Sequence, residues 1–161
     1  MQPFEEIERN YEQPDPWGYQ TNEDDQKRKR TIIEVATFFG PYQRCLDIGA
    51  GEGWITKDYP AKELHGYEYS NNAAARFPET VKRVVVPIGK YDLVCATGVM
   101  YGHYNWPFFM QLIKDHSSKY VLVSSIDAWE LPCVNDIGKE IYRTQYDYRE
   151  WKQRTRMFKL T

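Results

Sequence analysis

The sequence predicts an α/β fold, with one mostly parallel β-sheet that ends in a C-terminal antiparallel hairpin. Between residues 44 and 126, short apolar runs alternate with helical patterns, which is typical of a parallel sheet covered by helices. Beyond residue 138, two runs with polar alternation flank the segment "EWKQ" at residues 150–153, which indicates a hairpin at the sheet edge. A glycine-rich turn also follows the first apolar run directly.

The first element is an N-terminal arm or lid over residues 1–20, since its three prolines prevent one regular element. Residues 21–161 are expected to form a single domain. A helix begins after Thr21 or Asn22, either of which can cap it ahead of acidic residues. This helix ends at Gly40, before Pro41.

The remaining elements alternate along the chain. Only Gly89-Lys90 connects the third and fourth predicted strands, which leaves no room for a helix between them. The segment after the fifth strand is short as well. We therefore expect reduced helices after strands 3 and 5. Strands are predicted at residues 44–48, 63–69, 81–88, 91–98 and 119–126, and helices at residues 53–59, 71–77 and 106–116.

Charge and composition exclude several classes of function. A net charge of -2 over 161 residues disfavours a nonspecific nucleic-acid binder, which needs a strongly basic face. The three cysteines lack the spacing of a metal or redox pair, and we expect no metal site. We expect no membrane contact either, because no apolar run is long enough and the N-terminus has no signal-peptide pattern; these features predict a cytoplasmic protein.

The glycine-rich turn reads Gly49-Ala50-Gly51-Glu52-Gly53 and follows the first predicted strand. Such a turn lets backbone approach a ligand closely. A dinucleotide fingerprint would need its third glycine one residue later, and acids beside the turn suit a cationic ligand better than a diphosphate. An ammonium and a sulfonium charge together describe S-adenosylmethionine. The alternative is a tight turn that binds nothing.

A second acidic residue supports a nucleoside ligand. Glu68 ends the second predicted strand, seventeen positions after Gly51. A carboxylate there can accept hydrogen bonds from both ribose hydroxyls, although NAD sites use the same feature. The asymmetric glycine pattern therefore decides between the two cofactors in favour of S-adenosylmethionine.

Four segments together resemble the class I S-adenosylmethionine-dependent methyltransferases: "LDIGAGEG", "GYEYS", "YDLVCATGVMYGH" and "YVLVSSI". Within that class, residues 15–31, "DPWGYQTNEDDQKRKRT", are similar to the matching segment of NodS-like N-methyltransferases, which methylate an amino sugar of a lipo-chitooligosaccharide. The resemblance implies a small version of the Rossmann-like class I methyltransferase fold, with S-adenosylmethionine as cofactor and S-adenosylhomocysteine as product.

The resemblance also implies roles for individual residues. Asp47 would reach the amino group of the cofactor, Glu68 its ribose and Arg28 its carboxylate. The family usually has an acid after the third strand that contacts the adenine; this sequence lacks it, so the backbone at Ile88 is the candidate. The full implied set is Trp17, Tyr19, Arg28, Asp47, Gly49, Ala50, Gly51, Gly53, Glu68, Tyr69, Ile88, Ala96 and Thr97.

The acceptor side is expected in the loop after the fourth strand. His103 is a candidate general base and Tyr101 a second catalytic candidate; alternatively His103 caps the next helix or contacts the arm. A base is optional, since methyl transfer mainly requires positioning of the nucleophile. Aromatic rings attract cations and stack on sugars, and the candidates to bind the acceptor are Tyr104, Trp106 and Trp129.

We therefore expect a methyltransferase that acts on an amine or hydroxyl of a small molecule or oligosaccharide, as a monomer or a homodimer. One alternative is a protein that binds S-adenosylmethionine without transferring its methyl group. Another is a nucleic-acid or protein methyltransferase that uses the basic clusters. Amino-methylating nucleic-acid enzymes of the class usually carry an (Asp/Asn)-Pro-Pro-(Tyr/Phe) tetrapeptide, which "ATGVMY" does not resemble.

Overall fold

The computed structural model describes the whole chain, Met1–Thr161. Its seven strands are β1 (Tyr42–Ile48), β2 (Ala61–Tyr67), β3 (Val81–Arg83), β4 (Tyr91–Thr97), β5 (Ser117–Ile126), β6 (Lys139–Tyr148) and β7 (Trp151–Lys159). They form one sheet in the order β3-β2-β1-β4-β5-β7-β6. The first five strands pair in parallel, and β7 is antiparallel to both β5 and β6. The predicted sheet and its C-terminal hairpin are therefore confirmed.

Four α-helices accompany the sheet: α1 (Phe4–Asn10), α2 (Glu23–Phe39), α3 (Asn71–Ala74) and α4 (Trp106–His116). Helix α2 begins where the cap was predicted, because Asn22 Oδ1 accepts hydrogen bonds from the amides of Asp24 and Asp25 at 3.0 and 3.2 Å. Helix α4 has its predicted bounds, with proline in its first turn. None of the helices combines the length and the apolar character that crossing a membrane requires.

Three predicted elements are shorter in the structure. The prediction of a helix at residues 53–59 was wrong. Only the 3₁₀ turn Thr56–Asp58 forms there, and Gly53 has a non-helical φ of +76°. The helix at residues 71–77 stops at Ala74. The third strand ends at Arg83 rather than at residue 88, because pairing with β2 ends at Gly66.

Beyond the fifth strand, the chain forms two 3₁₀ turns, Asp127–Trp129 and Pro132–Asp136, rather than an α-helix. No helix lies between β3 and β4. Both observations agree with the reduced helices that were predicted after strands 3 and 5.

The sheet separates two hydrophobic cores. On one face, the apolar side of α4 packs on β1, β4 and β5, with Ile113 and Phe158 fully enclosed. On the other face, α2 packs through Ile32 and Ala36 onto side chains such as Leu122. The cores fill the middle and the amino ends of the strands, so that the carboxyl ends of β1, β2 and β4 are left to line a cavity.

Candidate functional site

A cavity of about 480 Å³ lies at the carboxyl ends of β1, β2 and β4, in the place where ligands bind to open α/β sheets. Its walls come from the glycine-rich turn, the N-terminal arm, the loop after β4 and the C-terminal hairpin. The structure brings most of the residues that sequence analysis singled out to this one cavity: Trp17, Tyr19, Arg28, Asp47, Gly49, Ala50, Gly51, Glu68, Tyr69, Thr97, Tyr101, His103, Tyr104 and Trp129.

Four of the singled-out residues do not line the cavity. Gly53 packs under Phe77 and Pro78, with a Cβ at this position only 3.0 Å from the proline ring. Ala96 is fully buried in the core beneath the cavity. Trp106 opens α4 and packs against the same core.

The role predicted for Ile88 needs correction, because this residue lies near the amino ends of the strands, whereas the cavity lies at their carboxyl ends. The chain turns back after β3, and the Ile88 carbonyl accepts a hydrogen bond from Arg44, near the start of β1, at 3.2 Å. The Ile88 side chain is 77% exposed. The adenine contact that was expected at this residue is therefore not available from it.

The glycine-rich turn needs its glycines for conformation as well as for space. Gly49 and Gly51 have φ values of +71° and +57°, in the left-handed region. A Cβ on Gly49 would lie 2.4 Å from Val99 Cγ1. The amides of Gly49 and Ala50 donate to the carbonyl of Tyr67 at 2.8 and 3.2 Å, so the turn is held against the end of β2.

Asp47 is the most unusual carboxylate of the cavity. It is 1% exposed; Oδ2 accepts a hydrogen bond from Thr56 Oγ1 at 2.6 Å, while Oδ1 has no partner. Burial raises the pKa of Asp47 to about 7, and the nearby charge of Glu68 adds to that effect against the opposing Thr56 hydrogen bond. A buried carboxylate with a free oxygen is costly unless a cation or a donor compensates it.

Glu68 lies against the glycine-rich turn. Its Oε2 accepts the amide of Gly51 and its Oε1 the amide of Ser70, both at 2.8 Å. Burial raises the pKa of Glu68, although these backbone hydrogen bonds act in the opposite direction. Each carboxylate oxygen keeps lone pairs that can accept further hydrogen bonds from a ligand.

Arg28 supplies positive charge on the other side of the cavity. Its Nη1 lies 3.8 Å from where a Cβ on Gly98 would stand, at the end of β4. The guanidinium faces the ring of Tyr19 at 5.0 Å, and Nε stands 3.4 Å from Asp25 Oδ1 without forming a hydrogen bond. Arg28 is 6% exposed and keeps a buried donor without a partner.

The N-terminal arm covers the cavity and is anchored at two places. At the first, the carboxylate of Glu8 accepts hydrogen bonds from the Ser70 hydroxyl and from the amide of Asn72. The Asn72 side chain in turn donates to the Glu8 carbonyl at 3.2 Å. Helix α1 is thereby fixed to the N-terminus of α3.

The second anchor uses Glu52, which sequence analysis had placed beside the ligand. Both Glu52 oxygens accept the amide of Asp15 at 3.1 Å, and Oε1 accepts from Arg76 Nη1 at 2.9 Å. The same Arg76 nitrogen donates to the Tyr11 carbonyl at 2.9 Å. The acid of the turn thus binds the arm, whose residues line the cavity; its role as a lid stays a prediction.

Aromatic rings fill the space between the arm and the turn. Tyr11 meets Trp17 edge-on at 5.0 Å, Trp17 stacks on Tyr19 at 5.7 Å, and Tyr19 stacks on Trp54 at 6.2 Å. Trp17 packs within the arm and also lines the cavity. Gly49, Gly51 and Glu52 are partly exposed beneath them.

The loop after β4 brings three rings together. Tyr101 stacks near His103 and Tyr104, at 5.7 and 6.3 Å between ring centres. The Tyr101 hydroxyl accepts the amide of Ile126 at 2.8 Å, and burial raises the pKa of Tyr101 to about 12. Such a phenol is suited to donate a proton in a hydrogen bond and is a poor base at neutral pH.

His103 is exposed at the cavity rim. Burial of part of the ring and the positive N-terminus lower its pKa, so the imidazole is mostly neutral at pH 7. Its carbonyl accepts the amide of Gln2 at 2.7 Å, so the backbone of His103 contacts the arm. The side chain is left available to a ligand.

The hairpin supplies cavity residues that sequence analysis missed: Tyr148, Arg149, Trp151 and Gln153. Trp151, at the start of β7, packs on Trp129 with 5.0 Å between ring centres. These two rings mark the far end of the cavity, on the side of the hairpin. No local pattern placed the hairpin turn near the glycine-rich turn; the aromatic-rich segment "YDYREW" was the signal that could have drawn attention to it. No group of three or more histidine, cysteine or acidic side chains is arranged to hold a metal ion.

Solved structures share this fold over nearly the whole chain. N-methyltransferase NodS from Bradyrhizobium japonicum WM9, in complex with S-adenosyl-l-homocysteine, has a TM-score of 0.82 at 16% identity, covering 98% of this chain and 97% of NodS. Magnesium protoporphyrin IX methyltransferase from Synechocystis PCC 6803, with bound SAM, has a TM-score of 0.72 at 13% identity, covering 100% and 99%. No protein-family model and no curated protein matches the sequence.

These likenesses confirm the Rossmann-like class I methyltransferase fold that the sequence motifs implied, with NodS among the similar structures. At such identities the likeness concerns the fold, and a fold hosts more than one chemistry. The [4+2]-cyclase SpnF makes this point: it has a TM-score of 0.65 at 10% identity, covering 84% of this chain and 80% of SpnF.

Proposed function

We propose that this protein binds S-adenosylmethionine in the cavity and transfers its methyl group to an amine or hydroxyl of a small-molecule or saccharide acceptor. The fold supports this proposal, because NodS and the magnesium protoporphyrin IX methyltransferase were solved with S-adenosyl-l-homocysteine and SAM bound. The proposal includes the cytoplasm as the compartment, and a monomer or a homodimer as the active form.

The observation that carries the proposal is the free, buried Oδ1 of Asp47 beside the glycine-rich turn. A ligand ammonium group would offset the cost of burying this carboxylate, whereas a diphosphate would be repelled by it. The other charged groups match the remainder of the cofactor. Glu68 would accept its ribose hydroxyls, and Arg28 would bind its carboxylate.

When bound, S-adenosylmethionine supplies a methyl group that is already activated by the positive sulfur. The task of the protein is then to exclude water and to align a nucleophile. The arm and its aromatic rings would exclude water over the turn. Tyr101 would donate a hydrogen bond to the acceptor, and the neutral imidazole of His103 would accept the proton that an amine or hydroxyl loses.

The far end of the cavity supports an acceptor that contains a ring. Tyr101 meets Trp129 edge-on at 5.8 Å, and Tyr104 stacks on Tyr101. Flat aromatic faces bind sugar rings, aromatic rings and cationic groups. The acceptor classes that follow are amino sugars, other sugars and aromatic amines or alcohols.

A second candidate is a protein that binds the cofactor without transferring its methyl group. The similarity to SpnF favours keeping this candidate, since that neighbour is a cyclase on the same fold. Both candidates predict binding of S-adenosylmethionine, and only the first predicts turnover. A nucleic-acid or protein acceptor is a third possibility; binding to RNA or DNA would weaken steeply as salt rises.

Calorimetric titration with S-adenosylmethionine, S-adenosylhomocysteine and NAD tests the cofactor. We expect micromolar binding of the first two and none of NAD. Glu68→Gln should weaken the binding without unfolding the chain, whereas Glu63→Gln, an exposed acid at the start of β2, should leave it unchanged. Binding of NAD, or of no ligand, would refute the proposal.

Transfer is tested separately with methyl-labelled cofactor and a panel of amino sugars, sugars, aromatic amines, RNA, DNA and proteins. Label in a small acceptor supports the proposal. Tight binding with no label in any acceptor favours the second candidate, and label in the macromolecules alone favours the third.

A further inference from the structure

We propose that Tyr11, in the N-terminal arm, is a ligand-positioning residue: its hydroxyl donates a hydrogen bond to an oxygen of the cofactor and thereby closes the arm on it. This inference rests on the proposed function, because it assumes that the ligand lies on the glycine-rich turn.

The position of Tyr11 is unusual for a tyrosine in an arm. The residue is 8% exposed and lines the cavity, and its hydroxyl lies 3.0 Å from where a Cβ on Gly51 would stand. No hydrogen bond joins this hydroxyl to a protein group, and the oxygen keeps access to the cavity, since it is not among the fully buried side-chain atoms that lack a partner. It is thus a nearly buried donor that points over the turn.

The surroundings keep this hydroxyl protonated. Burial raises the pKa of Tyr11 strongly, and the charges of Glu68 and Glu52 raise it further. A phenol that holds its proton can donate to an oxygen of a ligand, as ribose or carboxylate oxygens would require. The hydroxyl stands over Gly51, whose amide donates to Glu68, so the ribose oxygens proposed to lie on Glu68 are the acceptors within its reach.

The rest of Tyr11 is held in place without its hydroxyl. Its carbonyl accepts a hydrogen bond from Arg76, and its ring packs edge-on against Trp17. Phenylalanine would keep both contacts, so the free arm should be held equally well without the hydroxyl. A hydroxyl with no hydrogen bond in the free protein is explained if it donates one to a ligand oxygen.

Titration of three proteins with S-adenosylhomocysteine tests the inference. Relative to the wild type, Tyr11→Phe should bind about fivefold to tenfold more weakly, the effect of one lost hydrogen bond. Tyr59→Phe is the matched control, since Tyr59 is a buried tyrosine that lies outside the cavity. The control should bind like the wild type.

Trypsin provides a readout that a purely structural role would not move. Arg9 is the only lysine or arginine among residues 1–20, and it is exposed on α1. Without ligand, cleavage after Arg9 should be equally fast in the wild type and in Tyr11→Phe. With equal saturation by S-adenosylhomocysteine, it should slow in the wild type and slow less in the variant.

The outcomes separate the two proposals. If the wild type binds no S-adenosylhomocysteine, the proposed function and this inference both fall. If the wild type binds it and Tyr11→Phe binds equally well, only the role of Tyr11 is refuted. If Tyr11→Phe is cleaved faster even without ligand, the hydroxyl stabilises the arm itself and the positioning role is refuted as well.

Discussion

Arg149 Nη2 lies 2.6 Å from Asp25 Oδ2, and this contact joins the hairpin turn to the first turn of α2. Asp25 is fully buried, and its other oxygen accepts the Tyr148 hydroxyl at 2.7 Å. Arg149 also donates to the Trp17 carbonyl at 3.2 Å, so that one side chain connects the hairpin, the helix and the arm. The walls of the cavity are therefore held together by one buried carboxylate.

The first prediction concerns this carboxylate. Asp25→Asn removes its charge and leaves the guanidinium groups of Arg28 and Arg149 without compensation. We expect the free energy of unfolding to fall by about 3 kcal/mol, because breaking a buried ion pair leaves an uncompensated charge. Urea unfolding measures the change, and Glu23→Gln, in the same helical turn but exposed, should be neutral. Equal stability of the two variants would contradict this account.

The second prediction concerns Asp47 and pH. The pKa of Asp47 is raised to about 7 when folded, so the folded chain binds this proton more tightly than the unfolded chain does. This carboxylate therefore lowers stability progressively as pH rises from 4 to 7. At pH 8 we expect Asp47→Asn to be more stable than the wild type by on the order of 4 kcal/mol, with the difference vanishing below pH 4.

Urea unfolding between pH 4 and pH 8 measures that difference, with Asp136→Asn, an exposed carboxyl, as the matched control. The same Asp47→Asn variant should lose binding of S-adenosylmethionine, since the neutral amide cannot pair with an ammonium group. A variant that is more stable and binds as the wild type does would refute the proposed contact with the amino group.

Elements that depend on local interactions could be predicted from the sequence. Strand β1 and the glycine-rich turn belong to this group. Burial of β1 requires a run of apolar residues, and the left-handed backbone at position 49 requires glycine, so both are visible in the local sequence. The third strand was predicted too long, because Val85 and Val86 favour strands locally but find no partner beyond Gly66. Local preference does not report where pairing ends.

The hairpin side of the cavity escaped prediction for the same reason. The partners Asp25 and Arg149 are 124 positions apart, and neither lies in a motif that names the other. Glu52 lines the cavity as its place in the glycine-rich turn suggested, but its carboxylate also binds the arm, which no local pattern indicated. Contacts between distant segments depend on the whole fold, which spacing along the chain does not encode.

The third prediction concerns the glycine-rich turn. Gly49→Ala forces a side chain into a φ of +71° and places its Cβ 2.4 Å from Val99 Cγ1. We expect unfolding to become easier by about 3 kcal/mol, from backbone strain and overpacking together. Thermal melting measures the loss. Gly102→Ala is the matched control, because no atom lies within 4 Å of its added Cβ; if both variants melt alike, the turn tolerates a side chain.

The last prediction concerns the anchor of the arm. Arg76→Ala removes hydrogen bonds to the carbonyls of Tyr11 and Glu12 and the ion pair with Glu52. Since α1 has no buried residue, the arm depends on polar contacts: these, those of Glu8, and the hydrogen bonds from Gln2 to His103 and from Arg149 to Trp17. We expect trypsin to cleave after Arg9 several-fold faster in the variant, while the melting temperature of the remaining domain stays the same. Arg30→Ala, an exposed arginine on α2, should change neither quantity. An unchanged cleavage rate in Arg76→Ala would refute the anchoring role of Arg76, and Glu8→Gln would then test the other anchor, at Ser70 and Asn72.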